Sequence, residues 1–382
     1  MDAHASLGRL VVKGYRSIRE IDLELTTDVT VLIGANGSGK SNLVGALELI
    51  SRIWDDSFQE HVTARGGMSA LIFEDESGPA SHAHLEVHST ADERNYVNGY
   101  RVELAADEED AAVLTEFMLF QDRNRYERPY DKPLGSGRSS RARRIAEVSS
   151  DPKEVAFAGH ITPLLAECRV YHFDDVSPNA PVKGWSTVGD DVALRSDAEN
   201  IAAYLLRVKQ EHPRHYRRIV SAVRHVTPFF DDFVLVPSAS ERIRLRWKQR
   251  GLDRTFMARE ASDGTLRFMC LATLLLGPDL PATVVLDEPE LGLHPAAITL
   301  LAEMVHGAGR DGHRVILATQ SVPLLSHFSV EEVAVLDRVD GATTVTRPDP
   351  EQLAGFLEEF SVGAIWEMNL LGGRPSRQEA EQ

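Results

Sequence analysis

The sequence predicts an α/β fold with a mixed sheet at its core, an antiparallel β-subdomain and a helical lid. Three observations support this class. A glycine-rich loop lies between an apolar strand and an amphipathic helix near the N-terminus, a second apolar strand ends in two acidic residues near the C-terminus, and segments with period-two alternation lie between them. With 382 residues, 43% of them hydrophobic, the chain can bury one large core and carry an inserted subdomain.

The first strands flank the glycine-rich loop. GRLVVKGY, REIDLEL and VTVLIG read as three short strands, and HAHLEVHS and YRVELAAD follow the loop helix as alternating, half-buried strands. Alternation of this kind is typical of an antiparallel sheet packed on one face. No heptad pattern is sustained over several repeats, so the sequence predicts no long coiled coil.

The glycine-rich loop, Gly34-Ala35-Asn36-Gly37-Ser38-Gly39-Lys40-Ser41, fits the pattern G-x-x-x-x-G-K-[ST]. Its glycines let successive N–H groups turn toward phosphates, and the following helix adds its partial positive charge. We expect Lys40 to reach the β- and γ-phosphates of a nucleotide and the Ser41 hydroxyl to bind Mg²⁺. The alternative is a chance glycine-rich turn that opens a helix.

Periodicity weakens from Asp107 to about Val155, where DKPLGSGRSSRARR is predicted to be a mobile surface loop. It is the most basic short segment, with Arg138, Arg141, Arg143 and Arg144. This segment could contact a nucleic-acid backbone, or it could be a solvated loop in an acidic protein.

Two helical segments follow, ENIAAYLLRVKQEH and HYRRIVSAVRHV, separated at Pro213. Ser196 or Asp197 is the expected N-cap of the first. ERIRLRWKQR then alternates as a strand with one basic face, which could bind DNA or a partner, or could simply cover neighbouring residues and pair with acids. The cations of this face are Arg242, Arg244, Arg246 and Lys248.

The second half of the predicted site begins with the strand TVVLDEPE. Asp287 is expected to help hold Mg²⁺, and Glu288 to polarise the water that attacks the γ-phosphate. Upstream, Ser262 and Gly264 open an apolar helix and could hold a γ-phosphate, or form a plain N-cap. Downstream, RVILATQS is a buried strand whose Gln320 is a candidate sensor of the nucleotide state.

Composition limits the functions that remain. The net charge of −17 argues against a surface that binds nucleic acid everywhere, so any DNA contact must be local. No apolar run approaches the roughly 20 residues that a membrane helix needs, and MDAHASLGRL lacks the apolar region of a signal peptide. The two distant cysteines suit a reducing compartment. We therefore expect a soluble cytoplasmic protein without membrane contact.

Taken in chain order, the motifs are the glycine-rich loop, the helix start at Ser262, the strand that ends in Asp287 and Glu288, and the strand that ends at Gln320. Together they resemble the motifs of ABC-type ATPases of the SMC and RecF-like branch. More narrowly, the chain looks like the stand-alone ATPases of the AAA_21 class, which are related to the ATPase part of overcoming-lysogenization-defect (OLD) nucleases. The resemblance covers nearly the whole chain, and KGYRSIREIDLEL and EMNLLGGRP are also typical of it. It implies a P-loop NTPase fold of the ABC-ATPase head type.

The resemblance assigns roles to individual residues. It makes Gly34 to Ser41 the Walker A loop, Asp287 and Glu288 the Walker B pair, and Leu291 to His294 the D-loop. The implied nucleotide-binding residues are Arg16, Ser17, Gly34, Asn36, Gly37, Ser38, Gly39, Lys40, Ser41, Asn42, Ser262, Asp263 and Gly264. The implied metal ligands are Ser41 and Asp287, and the implied catalytic residues are Lys40, Glu288 and Gln320. Many relatives have His where Gln320 stands, and no Q-loop glutamine is identified, although Gln59 is available.

The resemblance also implies an organisation and a role. The expected parts are an N-terminal lobe (1–106), an inserted lid subdomain (107–255), a C-terminal lobe (256–371) and a flexible tail (372–382). ATP and Mg²⁺ would join two copies head to tail, with Ser262 to Gly264 of one copy on the ATP of the other. We expect an ATPase that drives DNA repair or anti-phage defence with a separate effector protein, with DNA contact through local basic patches. The alternative is a nucleotide-gated scaffold that holds an effector without binding DNA.

Overall fold

The structure, a computed structural model, describes residues 6–55 and 57–373. Within these residues the strands are β1 (Leu7–Tyr15), β2 (Ile18–Glu24), β3 (Val29–Ile33), β4 (Glu74–Asp75), β5 (Gly78–Pro79), β6 (Ala83–Ser89), β7 (Tyr96–Ala106), β8 (Ala112–Asp122), β9 (Tyr130–Gly137), β10 (Cys168–Tyr171), β11 (Ser186–Thr187), β12 (Phe230–Phe233), β13 (Arg242–Ile243), β14 (Arg246–Gln249), β15 (Thr255–Met257), β16 (Thr283–Asp287), β17 (Arg314–Thr319), β18 (Val333–Val339) and β19 (Ala342–Thr346). The α-helices are α1 (Lys40–Ile53), α2 (Phe58–Ala64), α3 (Arg141–Val148), α4 (Pro152–Ala166), α5 (Ile201–Glu211), α6 (Pro213–Val226), α7 (Asp263–Leu275), α8 (Pro295–Arg310), α9 (Val322–Leu325), α10 (Pro350–Leu357) and α11 (Val362–Glu367).

Two six-stranded sheets organise the molecule. The first is antiparallel, in the order β2-β1-β6-β7-β8-β9, and the second is mixed, in the order β10-β16-β17-β3-β18-β19. In the second sheet only the β18–β19 pair is antiparallel. The predicted α/β class is therefore confirmed, and so are the three strands that precede the glycine-rich loop.

Helix α1 lies between the two sheets. Its apolar residues share one core with the antiparallel sheet and with Leu32, Val285 and Ile316 of the mixed sheet. Residues next to these in the same strands, such as Val31 and Val284, face the opposite core, which α5 to α8 cover. Burial on both faces explains why these strands are continuously apolar in sequence. It also holds α1, and the loop that precedes it, against a rigid support.

The prediction that DKPLGSGRSSRARR is a mobile loop is wrong, because its residues form β9 and the start of α3. Strand β9 lies at the edge of the sheet and pairs with β8 across a register shift between Glu116 and Phe117. An edge strand with such an irregularity tolerates Pro133 and glycines, which made the segment read as a loop. Buried Glu116 then accepts hydrogen bonds from the Ser140 hydroxyl and the Arg141 N–H, which fixes the start of α3.

Helices α5 and α6 occur where predicted and pack with α7 and α8 on the mixed sheet. The N-cap of α5 is Asn200 and not Ser196 or Asp197. Asp197 instead accepts a hydrogen bond from the Glu199 N–H at 3.0 Å, so its carboxylate is used in the turn before the helix. Among the described helices none is long and apolar enough to cross a membrane.

The segment ERIRLRWKQR contains only two short strands, β13 and β14, yet its alternation is as predicted: Ile243, Leu245 and Trp247 are buried. The expected division at residues 106 and 255 stays a prediction, and the antiparallel sheet itself continues past residue 106 to Gly137. Of the expected flexible tail, 374–382 lies outside the described residues.

Candidate functional site

Polar residues meet at the carboxyl edge of the mixed sheet. Strands β16, β17 and β3 are parallel neighbours, with Asp287 opposite Ala318 and Thr319 opposite Ile33 in the register. Each strand therefore ends at the same level, and the residues that follow it are brought together. The structure thus joins the glycine-rich loop after β3, the acidic pair at the end of β16 and Gln320 after β17 at one edge.

The loop has the tight conformation that its glycines permit. Gly37 and Gly39 have φ angles of 82° and 102°, in the region that favours glycine. A Cβ on Gly39 would also collide with the side chain of Thr343 at the start of β19. The N–H groups of the loop are free for a ligand at five positions, where they form no hydrogen bond to another described residue. These positions are Asn36, Gly37, Gly39, Lys40 and Ser41.

Lys40 is buried, and its ammonium group lies on the loop itself. Nζ donates to the carbonyl oxygens of Gly34 at 2.7 Å and Ala35 at 3.1 Å. Burial lowers the pKa of Lys40, and the nearby carboxylates oppose that shift. A phosphate that entered the loop would offer this ammonium a charged acceptor in place of neutral carbonyls.

Asp287 and Ser41 are suitably placed for a divalent cation. Burial raises the pKa of Asp287, while the nearby Ser41 hydroxyl favours the charged carboxylate and opposes that shift. The Asp287 Oδ1 atom is buried and has no hydrogen-bond partner among the described residues. One carboxylate and one hydroxyl match the few protein ligands that Mg²⁺ takes beside phosphate oxygens and water. Both residues fit the predicted metal site.

Glu288 has a strained backbone at the same edge. Its φ angle is 46°, unusual for a residue with a side chain, and its N–H donates to the Ala318 carbonyl oxygen at 2.8 Å. The Gln320 amide donates to the Glu288 carboxylate at 3.4 Å. Burial raises the pKa of Glu288, while Lys40 opposes that shift. The strain turns the carboxylate toward the end of β17, where it meets Gln320.

Glu290 is a further buried carboxyl that the sequence interpretation did not assign. It accepts a hydrogen bond from the Thr319 hydroxyl, and its Oε2 atom has no partner among the described residues. Burial raises its pKa to about 7. Its place two residues after Glu288 in DEPE was the available signal. The bond to Thr319 ties the turn after β16 to the end of β17.

The turn Arg16-Ser17 does lie beside the glycine-rich loop. The Asn42 amide donates to the Ser17 hydroxyl at 2.6 Å, and Arg16 donates to the Asn42 side chain at 3.5 Å. The Ser17 hydroxyl is also within 2.7 Å of the Thr343 hydroxyl. This network braces the first turn of α1 from outside, and Thr343 is the member that no sequence pattern indicated.

Ser262, Asp263 and Gly264 form the start of α7. The Ser262 hydroxyl accepts from the Thr265 N–H at 3.2 Å, and both Ser262 and Asp263 are exposed. In the described chain no hydrogen bond joins these three residues to the glycine-rich loop. Within one chain, therefore, the two predicted nucleotide-binding parts are not connected by polar contacts.

Arg267, also missed, connects the start of α7 to the site edge. Buried in the core, its guanidinium donates to the carbonyl oxygens of Phe173 at 2.9 Å and Asp174 at 3.0 Å, and to that of Leu291. A lone Arg in an otherwise apolar helix sequence was the only signal. Through it, α7 contacts both the segment after β10 and the segment predicted to be the D-loop.

The available glutamine, Gln59, is not near this edge by its contacts. Its amide donates to the carbonyl oxygens of Ala112 at 2.8 Å and Arg138 at 2.7 Å, so it links α2 to the antiparallel sheet. The C-terminal glycines are closer: the Ala35 N–H donates to the Gly373 carbonyl oxygen at 2.8 Å. Part of EMNLLGGRP therefore supports the loop directly.

Comparison with protein families gives one match over residues 29–326, to the AAA_21 model, described as "AAA domain, putative AbiEii toxin, Type IV TA system". Among curated proteins, the DNA replication and repair protein RecF of Haemophilus ducreyi is 37% identical over 59 residues, and that of Glaesserella parasuis is 38% identical over 60 residues. The aligned segments span 15% and 16% of this chain and 16% of each relative, so these matches are local.

Solved structures match over nearly the whole chain. The head domain in "Crystal structure of the SmcHead bound to the C-winged helix domain of ScpA" is 14% identical, with a TM-score of 0.62 over 92% of this chain and 99% of that one. The Smc head from Pyrococcus furiosus, solved with an extended coiled coil, gives a TM-score of 0.58 at 14% identity over 93% of this chain and 99% of that one. At this identity the likeness concerns the fold.

Proposed function

The chain belongs to the AAA_21 family, and on that premise we propose that it binds ATP with Mg²⁺ and hydrolyses it. The observation that carries the proposal is the meeting of Lys40, Asp287 and Glu288 at one sheet edge, beside loop N–H groups that have no partner among the described residues. Converging N–H groups, one cation and a pair of carboxylates are the parts that phosphoryl transfer requires.

Each residue has a separate task in this mechanism. The loop N–H groups hold the phosphates, and the Lys40 ammonium leaves the carbonyl oxygens of Gly34 and Ala35 to bind phosphate oxygens. Ser41 and Asp287 would hold Mg²⁺, which supplies charge neutralisation to the phosphates. Glu288 accepts a proton from the attacking water, and Gln320 holds the carboxylate and the water in position.

We further propose a head-to-tail dimer with ATP between two copies. Ser262 to Gly264 are exposed or half-buried, and no hydrogen bond ties them to the glycine-rich loop of their own chain among the described residues. A helix start with free N–H groups suits the γ-phosphate of a second copy. ATP would then stabilise the dimer by binding only the associated form, and hydrolysis would release it.

The role proposed for this cycle is a DNA-related one, in repair or anti-phage defence, carried out with a separate effector protein. Support comes from the local match to proteins named for DNA replication and repair. The second candidate is a nucleotide-gated scaffold that holds the effector without binding DNA, which the net charge of −17 favours.

The ATPase rate of the full chain, measured with and without duplex DNA over a salt series, tests these proposals. We expect Mg²⁺-dependent hydrolysis that DNA stimulates at low salt. Hydrolysis without any stimulation at low salt would favour the scaffold. Absence of both ATP binding and hydrolysis would refute the enzyme proposal itself.

A further inference from the structure

Helix α6 carries a basic surface opposite its buried side. Tyr216, Ile219, Val220 and Val223 pack in the core. With about 100° of rotation per residue, the exposed side chains on the opposite side fall in an arc of about 100°. We name these residues, Arg214, Arg217, Arg218, Ser221 and His225, the basic face of α6. Because the buried side fixes the helix, the basic face is held rigidly on the surface.

The three arginines of the basic face have no acidic partner in the part of the chain that the structure describes. Neither an ion pair nor a hydrogen bond joins the guanidinium group of Arg214, Arg217 or Arg218 to any other described residue. Arg217 and Arg218 lie three and four residues after Arg214, spacings at which like charges on a helix repel. In a chain with 58 acidic and 41 basic residues, acidic neighbours are abundant. A rigid cluster of unneutralised arginines in this setting indicates a partner outside the chain.

Several cations of the other basic segments, unlike those of the basic face, are held by the chain. Arg138 pairs with Asp107 and Glu109, and Arg143 pairs with Glu147. In ERIRLRWKQR, the Arg242 guanidinium donates to a backbone carbonyl oxygen and that of Arg244 lies 4.6 Å from the centre of the Trp185 ring. Among the described residues, the cluster of cations most available to a partner therefore lies on α6, and not in the basic segments that the sequence indicated.

We propose that the basic face of α6 binds the phosphate backbone of nucleic acid. Guanidinium groups bind phosphate oxygens through two parallel hydrogen bonds, and the Ser221 hydroxyl on the same face can donate a further one. Protein interfaces depend on buried aromatic or aliphatic anchors, and the basic face contains none. A purely charged surface suits a partner that is recognised by its charge and not by its sequence.

The test is equilibrium binding of a fluorescent duplex and a single strand to the full chain, followed by anisotropy between about 50 and about 200 mM salt. The variant is Arg214→Gln, Arg217→Gln and Arg218→Gln together. Each phosphate contact contributes about 0.9 to the slope of log affinity against log salt, so we expect the slope to fall by up to about 2.7 and the affinity by at least about tenfold at low salt.

A matched control removes the same charge from arginines that the chain holds: Arg138→Gln, Arg141→Gln and Arg143→Gln together. We expect this variant to bind DNA nearly as the wild type does. Equal losses in both variants would mean that only net charge matters, and an unchanged slope in the α6 variant would refute the proposal. Competition by polyglutamate as strong as competition by DNA of equal charge would assign the face to an acidic protein and would also overturn it.

Binding of a fluorescent ATP analogue by the same proteins separates this inference from the proposed function. The α6 variant should bind nucleotide as the wild type does, because its changed residues lie on a helix that does not contribute to the site edge. Failure of the wild type to bind nucleotide would refute the ATPase proposal and leave the DNA result standing. Normal nucleotide binding with no salt-dependent DNA binding would refute this inference alone.

Discussion

Gly264 and Gly292 touch: a Cβ on Gly264 would collide with the carbonyl oxygen of Gly292. The start of α7 is thereby packed directly against the segment predicted to be the D-loop, and Arg267 adds a hydrogen bond to Leu291 in the same segment. The segment predicted to contact the second copy and the predicted D-loop thus form one unit within each chain. Any shift of one should move the other.

For Gly264→Ala, we expect a loss of about 1–3 kcal/mol in the free energy of unfolding, because the added methyl group must displace backbone. We also expect weaker ATP-dependent association. Thermal melts and sizing with ATP and Mg²⁺ measure the two effects. The matched control is Gly355→Ala in α10, where a Cβ meets nothing within 4 Å and the helix should gain up to about 1 kcal/mol. Wild-type stability and association in the Gly264 variant would contradict the prediction.

Lys40→Ala should weaken ATP binding by about 10- to 100-fold, since it removes a charge-assisted hydrogen bond of about 1.5–3 kcal/mol to the phosphates. Calorimetry with ATP and Mg²⁺ gives the dissociation constant. Lys13→Ala is the control, because Lys13 is exposed and pairs with Glu20 at 2.6 Å in the antiparallel sheet. Equal affinities for the wild type and the Lys40 variant would show that the loop does not hold the triphosphate as proposed.

Glu288→Gln should bind ATP but hydrolyse it about 10²- to 10⁴-fold more slowly, because the amide cannot accept a proton from the attacking water. The dimer should then accumulate, because its ATP is not hydrolysed, and light scattering after size exclusion detects it. The double variant Lys40→Ala with Glu288→Gln should stay monomeric. A Glu288 variant that is no more dimeric with ATP than without it would disprove the ATP-joined dimer.

Because of Glu290, the free energy of unfolding should fall as the pH rises. Its pKa is about 7 in the fold against 4.5 as a free side chain, so the folded chain binds the proton more tightly. This contribution to the free energy of unfolding is at most about 3 kcal/mol. It is fully present below about pH 4.5 and is lost as the pH rises past about 7. Glu290→Gln keeps an acceptor for Thr319 and cannot titrate.

Melting temperatures of wild type and Glu290→Gln, taken without nucleotide or metal between about pH 5 and about pH 8, test this. We expect the variant to gain stability over the wild type as the pH rises. The difference between the two removes the contribution of His61, whose pKa of about 4 acts in the opposite direction. Parallel curves for the two proteins would show that Glu290 does not titrate in this range.

The sequence alone determined the parts of the site that are local. A loop pattern between strand and helix predicts where Lys40 and Ser41 stand, because the strand, the turn and the helix are consecutive. The apolar strand that ends in Asp287 is equally predictable from sequence, because burial of both faces makes it continuously apolar. The alternation in ERIRLRWKQR correctly indicated which side chains are buried.

Only the tertiary structure decided what distant segments do together. It brings Thr343 against Gly39, Thr319 onto Glu290 and Gly373 onto Ala35, contacts between residues far apart in sequence that no periodicity encodes. It turned a Pro- and Gly-containing segment into an edge strand, because a neighbour supplied the hydrogen bonds. It also decided which arginines are free: composition counts charges, but whether an acid lies within reach depends on packing. The glycine-rich loop was therefore predictable, while its supports and the basic face of α6 were not.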